Sequence, residues 1–140
     1  MESGKVKCVI IGSFHHFYQE VVYAREDFEA LGVEVLSPEK SHVLDPKEDF
    51  IILGSDPEKF SIREIEDVVL DKIPKSDFVY LVNPDGYTGK TASFEIGAAV
   101  AGQVPVFAKS VPDDVLIKQY ILEVGTPEQI FEIMKKARKH

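Results

Sequence analysis

At 140 residues, 44% of them hydrophobic, the chain has the length of one ordinary domain and enough apolar side chains for a core, so one domain over residues 1–140 is expected. A formal net charge of -8 argues against a nucleic-acid polymer as partner, because following a phosphate backbone takes clustered Lys and Arg. The single cysteine, Cys8, excludes an intrachain disulfide and sits in an apolar run, which suits a buried thiol in a reducing compartment.

No apolar run approaches bilayer length, and the opening "MESGKVK" leads into a strand-like segment rather than a signal peptide, so a cytoplasmic chain without a membrane partner is expected. "KVKCVIIGS", residues 5–13, reads as a buried strand ending in Gly and Ser. "FYQEVVYAREDFEALG" then reads as an amphipathic helix stopped by Gly32, and "VEVLSP" as a second strand. Residues 38–60 are the least regular stretch, with mixed charge, Pro46 and Pro57, and they form a candidate lid.

"SIREIEDVVLDKI" opens with a capping box, Ser61 with Glu64, and sets Ile62, Ile65, Val68, Val69 and Ile73 at near-helical spacing. "DFVYLVNP" reads as a strand, "TASFEIGAAVAG" as a helix and "VPVFA" as a strand. "TPEQIFEIMKKARK" is a terminal helix with Thr126 at its cap, Pro127 at its first position and Gln129 closing the box. The small residues of "GAAVAG" are expected to let their helix lie close to a sheet, while Phe28, Leu31, Ile130, Ile133 and Met134 form core or a subunit contact.

Alternation of strand and helix predicts an α/β fold: a single doubly wound, flavodoxin-like domain with a mostly parallel sheet of about five strands. Sites in such sheets lie beyond the carboxyl ends of the strands, which singles out residues 12–16 and 83–90. The second of these loops contains "GKT", the tail of a triphosphate-binding loop. Such a loop also needs a glycine five residues before its Gly-Lys pair, and Pro84 stands there, so the triphosphate reading fails.

Gly86 and Gly89 still make a permissive turn, and Thr88 or Thr91 is available to cap the next helix, leaving backbone amides turned to a pocket. With Thr91 as cap, Glu95 falls in the first helical turn, where the dipole favours its ionised form. That position suits a nucleophile or base, and equally a glutamate that only stabilises its helix. His15 and His16 do not make a metal site, since adjacent helical residues point about 100° apart and no Cys, His or carboxylate cluster joins them. Neither metal nor cofactor is expected.

The stretch "DFVYLVNPDGYTGKTASFEIGAAVAGQVPVFA", residues 77–108, resembles the nucleoside 2-deoxyribosyltransferase family, which includes related N-glycosidases of deoxynucleoside monophosphates. The similarity is specific around "FEIGAA", moderate at Gly12 and Ser13, and extends over most of the chain. It implies that Glu95 attacks the anomeric carbon and forms a glycosyl-enzyme intermediate, chemistry that suits a carboxylate as it does in retaining glycosidases. It implies proton traffic at the base for Asp77, whose ordinary alternative is a strand-initiating turn cap. Gly12 and Ser13 would approach the sugar or its 5′ group, and His15 or Lys90 would meet a 5′-phosphate, with the amides of Gly89 to Thr91 assisting.

The chain also departs from the family. Gly89 stands where many transferases carry a base-holding Asp, leaving Asp85 as a substitute; the tyrosine of the first strand falls on Val9, leaving Tyr87 or Tyr18 to supply a phenol; and Asn83, the only Asn, does not replace a C-terminal one lent between subunits. The resemblance thus implies cleavage or exchange at the N-glycosidic bond of (deoxy)nucleosides or their 5′-monophosphates, in a homo-oligomer whose partner is a small nucleoside or nucleotide. The alternative is a nucleotide-binding sensor that kept the pocket without turnover.

Overall fold

The computed structural model describes residues 4–39 and 61–138, apart from the side chains of Phe14 and His15. Of the candidate lid over residues 38–60, all but Pro38 and Glu39 lie outside the described residues. Five strands, β1 (Lys7–Gly12), β2 (Glu34–Ser37), β3 (Phe78–Val82), β4 (Val106–Ala108) and β5 (Glu123–Val124), form one sheet in the order β2-β1-β3-β4-β5, every neighbour parallel. The helices are α1 (Phe14–Ala30), α2 (Ile62–Lys72), α3 (Lys90–Ala101), α4 (Val115–Lys118) and α5 (Pro127–Arg138), and short 3-10 turns occupy Ile73–Lys75 and Pro84–Gly86. This is the flavodoxin-like arrangement expected from the alternation, with the order reversing at β1 and β3. The short β5 edge and the one-turn α4 carried no periodic signal in the sequence.

Because side chains of a strand alternate between faces, the central strands divide between two cores. Cys8, Ile10, Phe78, Tyr80, Val82 and Phe107 face one layer, built with Val21, Ala24 and Phe28 of α1 and Ile130 and Met134 of α5. Val9, Ile11, Val79, Leu81, Val106 and Ala108 face the other, built with Ala92, Ile96 and Ala99 of α3, with Ile73, and with Val69 and Leu70 of α2. A sheet covered on both faces explains why these strands read as continuous apolar runs. Cys8 is fully buried, and burial drives its thiol pKa up, beyond the range in which a cysteine reacts.

The capping boxes stand as expected. Ser61 Oγ accepts from the Glu64 amide at 3.1 Å while Glu64 accepts from the Ser61 amide at 2.9 Å, and Thr126 and Gln129 exchange the equivalent bonds at the start of α5. The small residues of "GAAVAG" differ from expectation: Ala99 is buried in the sheet interface and Ala98 packs against it, whereas Gly97, Ala101 and Gly102 are exposed.

The register pairs Gly12 with Val82, so β1 and β3 end together. A β-carbon on Gly12 would stand 2.7 Å from the Val82 carbonyl oxygen, and its φ of +157° is one that other residues rarely adopt. A glycine is therefore needed for the first loop to leave the sheet this close to β3.

Candidate active site

The two loops singled out in the sequence meet at the carboxyl ends of β1 and β3. Ser13 caps α1: its hydroxyl accepts from the His16 amide at 3.2 Å and lies 2.8 Å from His16 Nδ1. Beyond β3, Asn83 is fully buried and exchanges two hydrogen bonds with the Ser110 backbone, at 2.8 and 2.9 Å, tying the loops after β3 and β4 together. Asp85 then adopts a left-handed φ of 61° with its side chain exposed, and Gly86 follows at φ 86°. A β-carbon on Gly86 would press to 2.7 Å from the Val111 carbonyl oxygen, so this turn also requires its glycine.

Tyr87 leans across from this loop to α1. Its ring centroid is 5.2 Å from that of His16 and 5.7 Å from that of Phe17, which itself departs from helical geometry at φ -129° and ψ 35°. These are ordinary separations for interacting aromatic rings. Tyr18, the other candidate phenol, is on the exposed surface of α1.

The cap of α3 is Gly89, not Thr91 or Thr88, and among the described residues no side chain caps the helix. Lys90 and Thr91 are exposed residues of its first turn, and Ser93 bonds back to the Gly89 carbonyl through its amide at 2.9 Å and its hydroxyl at 2.8 Å. Starting at Lys90 moves Glu95 into the second turn. The dipole argument for its ionised form therefore loses its basis, since that effect fades beyond the first turn.

Glu95 is instead buried, only 6% exposed. Its pKa is pushed up to about 10, first by burial, then by the side-chain hydrogen bond that its protonated form donates to Glu66 and by the charge of Glu66. Glu66 comes from α2, and its Oε2 is sealed from solvent without a partner. Two carboxyls this close cannot both ionise, so the pair holds a proton between them.

Glu66 was missed in the sequence, although a signal was present. Ile62, Ile65, Glu66, Val69, Leu70 and Ile73 follow the i, i+3, i+4, i+7 pattern of one helical stripe, and a lone carboxylate inside that stripe needs a partner.

Asp77 lies elsewhere. It precedes β3, where its Oδ2 accepts from the Lys7 amide at 2.8 Å and its own amide donates to the Lys7 carbonyl at 2.8 Å. That is the amino end of the sheet, and six residues of extended chain separate it from the site by about 20 Å. The structure thus gathers Gly12, Ser13, Tyr87, Gly89 and the α3 start at the carboxyl ends of β1 and β3, with Glu95 in the second turn of α3, and places Asp77 at the amino end. Asp85 is at the rim, and the His15 side chain lies outside the described residues. No cluster suited to a metal occurs among the described residues.

No protein-family model and no curated protein matches the sequence. Solved structures do share the fold. The 2-deoxyribosyltransferase of the psychrotolerant bacterium Bacillus psychrosaccharolyticus superposes with a TM-score of 0.59 at 18% identity, over 89% of this chain and 90% of that one. The CMP N-glycosidase BcmB of Clostridium botulinum does so with a TM-score of 0.55 at 11% identity, over 94% of this chain and 98% of that one. These identities establish the fold, and it is the fold that the resemblance around "FEIGAA" implied.

Proposed function

We propose that the protein cleaves or exchanges the N-glycosidic bond of (deoxy)nucleosides or their 5′-monophosphates. The observation that carries this reading is the carboxyl pair of buried Glu95 and half-buried Glu66 on a parallel sheet, on the same fold as a deoxyribosyltransferase and a nucleotide N-glycosidase. A pair that holds one proton supplies both halves of the chemistry, a base to donate electrons and an acid to protonate. Once the proton on Glu95 has passed to Glu66, the freed Glu95 carboxylate attacks C1′, the C1′–N bond breaks, and Glu66 gives the proton to the departing base. Water or a second base then gives its proton to the Glu66 carboxylate and attacks C1′, and the Glu95 carboxylate leaves.

Glu66 takes the proton-handling role that the resemblance gave to Asp77. Ser13, the uncapped α3 amides and Lys90 are the groups for a 5′ substituent. A homo-oligomer in the cytoplasm remains part of this proposal.

The experiment is one incubation with mixed deoxynucleosides and deoxynucleoside monophosphates, read by mass for free base and exchanged product. Free base is expected, together with a sugar adduct on Glu95 after trapping. Glu66→Gln is expected to lose activity, most for poor leaving-group bases, because the acid is removed. Ligand-induced thermal shifts without any base release would instead identify a nucleotide-binding sensor.

A further inference from the structure

Among the described residues, two buried side-chain polar atoms find no hydrogen-bond partner: Glu66 Oε2 and Thr88 Oγ. The first belongs to the carboxyl pair. The second lies in the turn that leads into α3, seven residues before Glu95. Native proteins pair nearly all such groups, and the exceptions call for an explanation. The ordinary employment of a threonine at this point of the chain is to cap the helix, but Gly89 holds that position and among the described residues no side chain caps the helix.

The surroundings of Thr88 are fixed on both sides. Before it, the Asp113 amide donates to the Gly86 carbonyl at 3.0 Å, and Tyr87 is held between His16 and Phe17. After it, the Gly89 carbonyl accepts twice from Ser93. A hydroxyl on so constrained a turn is positioned, not left over from a loose loop.

We propose that Thr88 is a substrate-recognising residue, its hydroxyl kept for a polar group of the bound nucleoside or nucleotide. This rests on the glycosidic reading of the same site. Binding of substrate would satisfy the hydroxyl, and a substrate unable to meet it would leave it buried and unpaired, a strong source of discrimination.

The test uses Thr88→Val, which keeps the shape and removes the hydroxyl, and Thr88→Ser, which keeps the hydroxyl. Both are melted without ligand and assayed on the deoxynucleoside and monophosphate mixture, with thermal shifts recorded for each compound. Thr88→Val is expected to melt at or above the parental temperature and to lose about tenfold or more in kcat/KM, the equivalent of one lost hydrogen bond. Thr88→Ser is expected to stay within about twofold of the parent. A Thr88→Val variant that melts lower, or fails to fold, while Thr88→Ser is unaffected would make the hydroxyl structural and overturn the proposal. So would parental kinetics in Thr88→Val, or equal losses in both variants. If the parent releases no base and no compound shifts its melting, the glycosidic reading fails and takes Thr88 with it; parental turnover with an indifferent Thr88→Val defeats Thr88 alone.

Discussion

Glu95 is a carboxyl held where its charge is costly, and that cost shows in stability as well as chemistry. Its ordinary value is 4.5, and in the folded chain it is pushed up to about 10 by burial and by Glu66. The folded state therefore binds a proton that the unfolded state has released above pH 4.5, so the contribution to stability is complete below that pH and is lost as pH rises toward about 10. Across that window the slope reaches at most about 1.4 kcal/mol per pH unit. Glu95→Gln keeps the shape, cannot ionise and offers an amide hydrogen to Glu66. Urea unfolding from about pH 5 to about pH 9 should show the parent losing stability while the variant holds it, the variant being about 1–3 kcal/mol more stable at the alkaline end. Turnover of the same variant should fall by orders of magnitude, because the covalent route is gone. Lower stability of Glu95→Gln at alkaline pH would mean that the carboxylate is a paired anion serving its helix, the other role open to it in the sequence.

At the scale of elements, the pair exists because two helices on the same face of the sheet each present one carboxyl. α2 is positioned by its capping box and by Val69 and Leu70 against the second core; α3 is positioned by Ala92, Ile96 and Ala99. Ser61→Ala removes one of the two box bonds and should cost about 1 kcal/mol by chemical unfolding. Since Ser61 is exposed and a full turn before Glu66, kcat/KM should stay within about twofold; a large kinetic loss would show that Glu66 depends on how α2 begins. These elements were legible in the sequence because their signals are local: Ser61 with Glu64, Thr126 with Gln129, Gly32 after the first helix. The start of α3 was misread by one or two residues because Gly89, Lys90 and Thr91 all satisfy some rule for a first turn, and only tertiary packing decides among them. That small error carried Glu95 from a solvated first turn to a buried second one. The outward side of α3, with Phe94 59% exposed beside Gly97 and Ala101, likewise went unseen, since a helix apolar all round reads as buried.

For the whole molecule, the direction of the sheet decides which acid is near the chemistry. Every strand runs the same way, so β1 and β3 deliver Gly12 and Asn83 to one end and leave Lys7 and Asp77 at the other. Strand order and site end were readable from the alternation alone, because parallel neighbours need crossovers and crossovers have one hand. The site itself was legible only in part: Glu95 and the two loops lie close in sequence to recognisable turns, whereas Glu66 meets Glu95 through a long-range contact that no spacing encodes. Asp77 is adjacent to the same strand but lies at its amino end, bonded to the Lys7 backbone, a position that spacing along the sequence does not reveal. The two assignments make opposing predictions for Asp77→Asn. If Asp77 handled the proton at the base, the variant would lose activity, most for poor leaving groups. With its carboxylate bonded to the Lys7 amide at the amino end of β3, it should show parental kcat/KM on good and poor leaving groups alike. Its cost should appear instead in unfolding, at about 1 kcal/mol, because Asn keeps an oxygen for the Lys7 amide but loses the charge that strengthens the bond. Steady-state kinetics on two bases of different leaving ability, run beside urea unfolding, separates these outcomes, and a leaving-group-dependent loss in folded Asp77→Asn would return the proton role to Asp77 and remove it from Glu66.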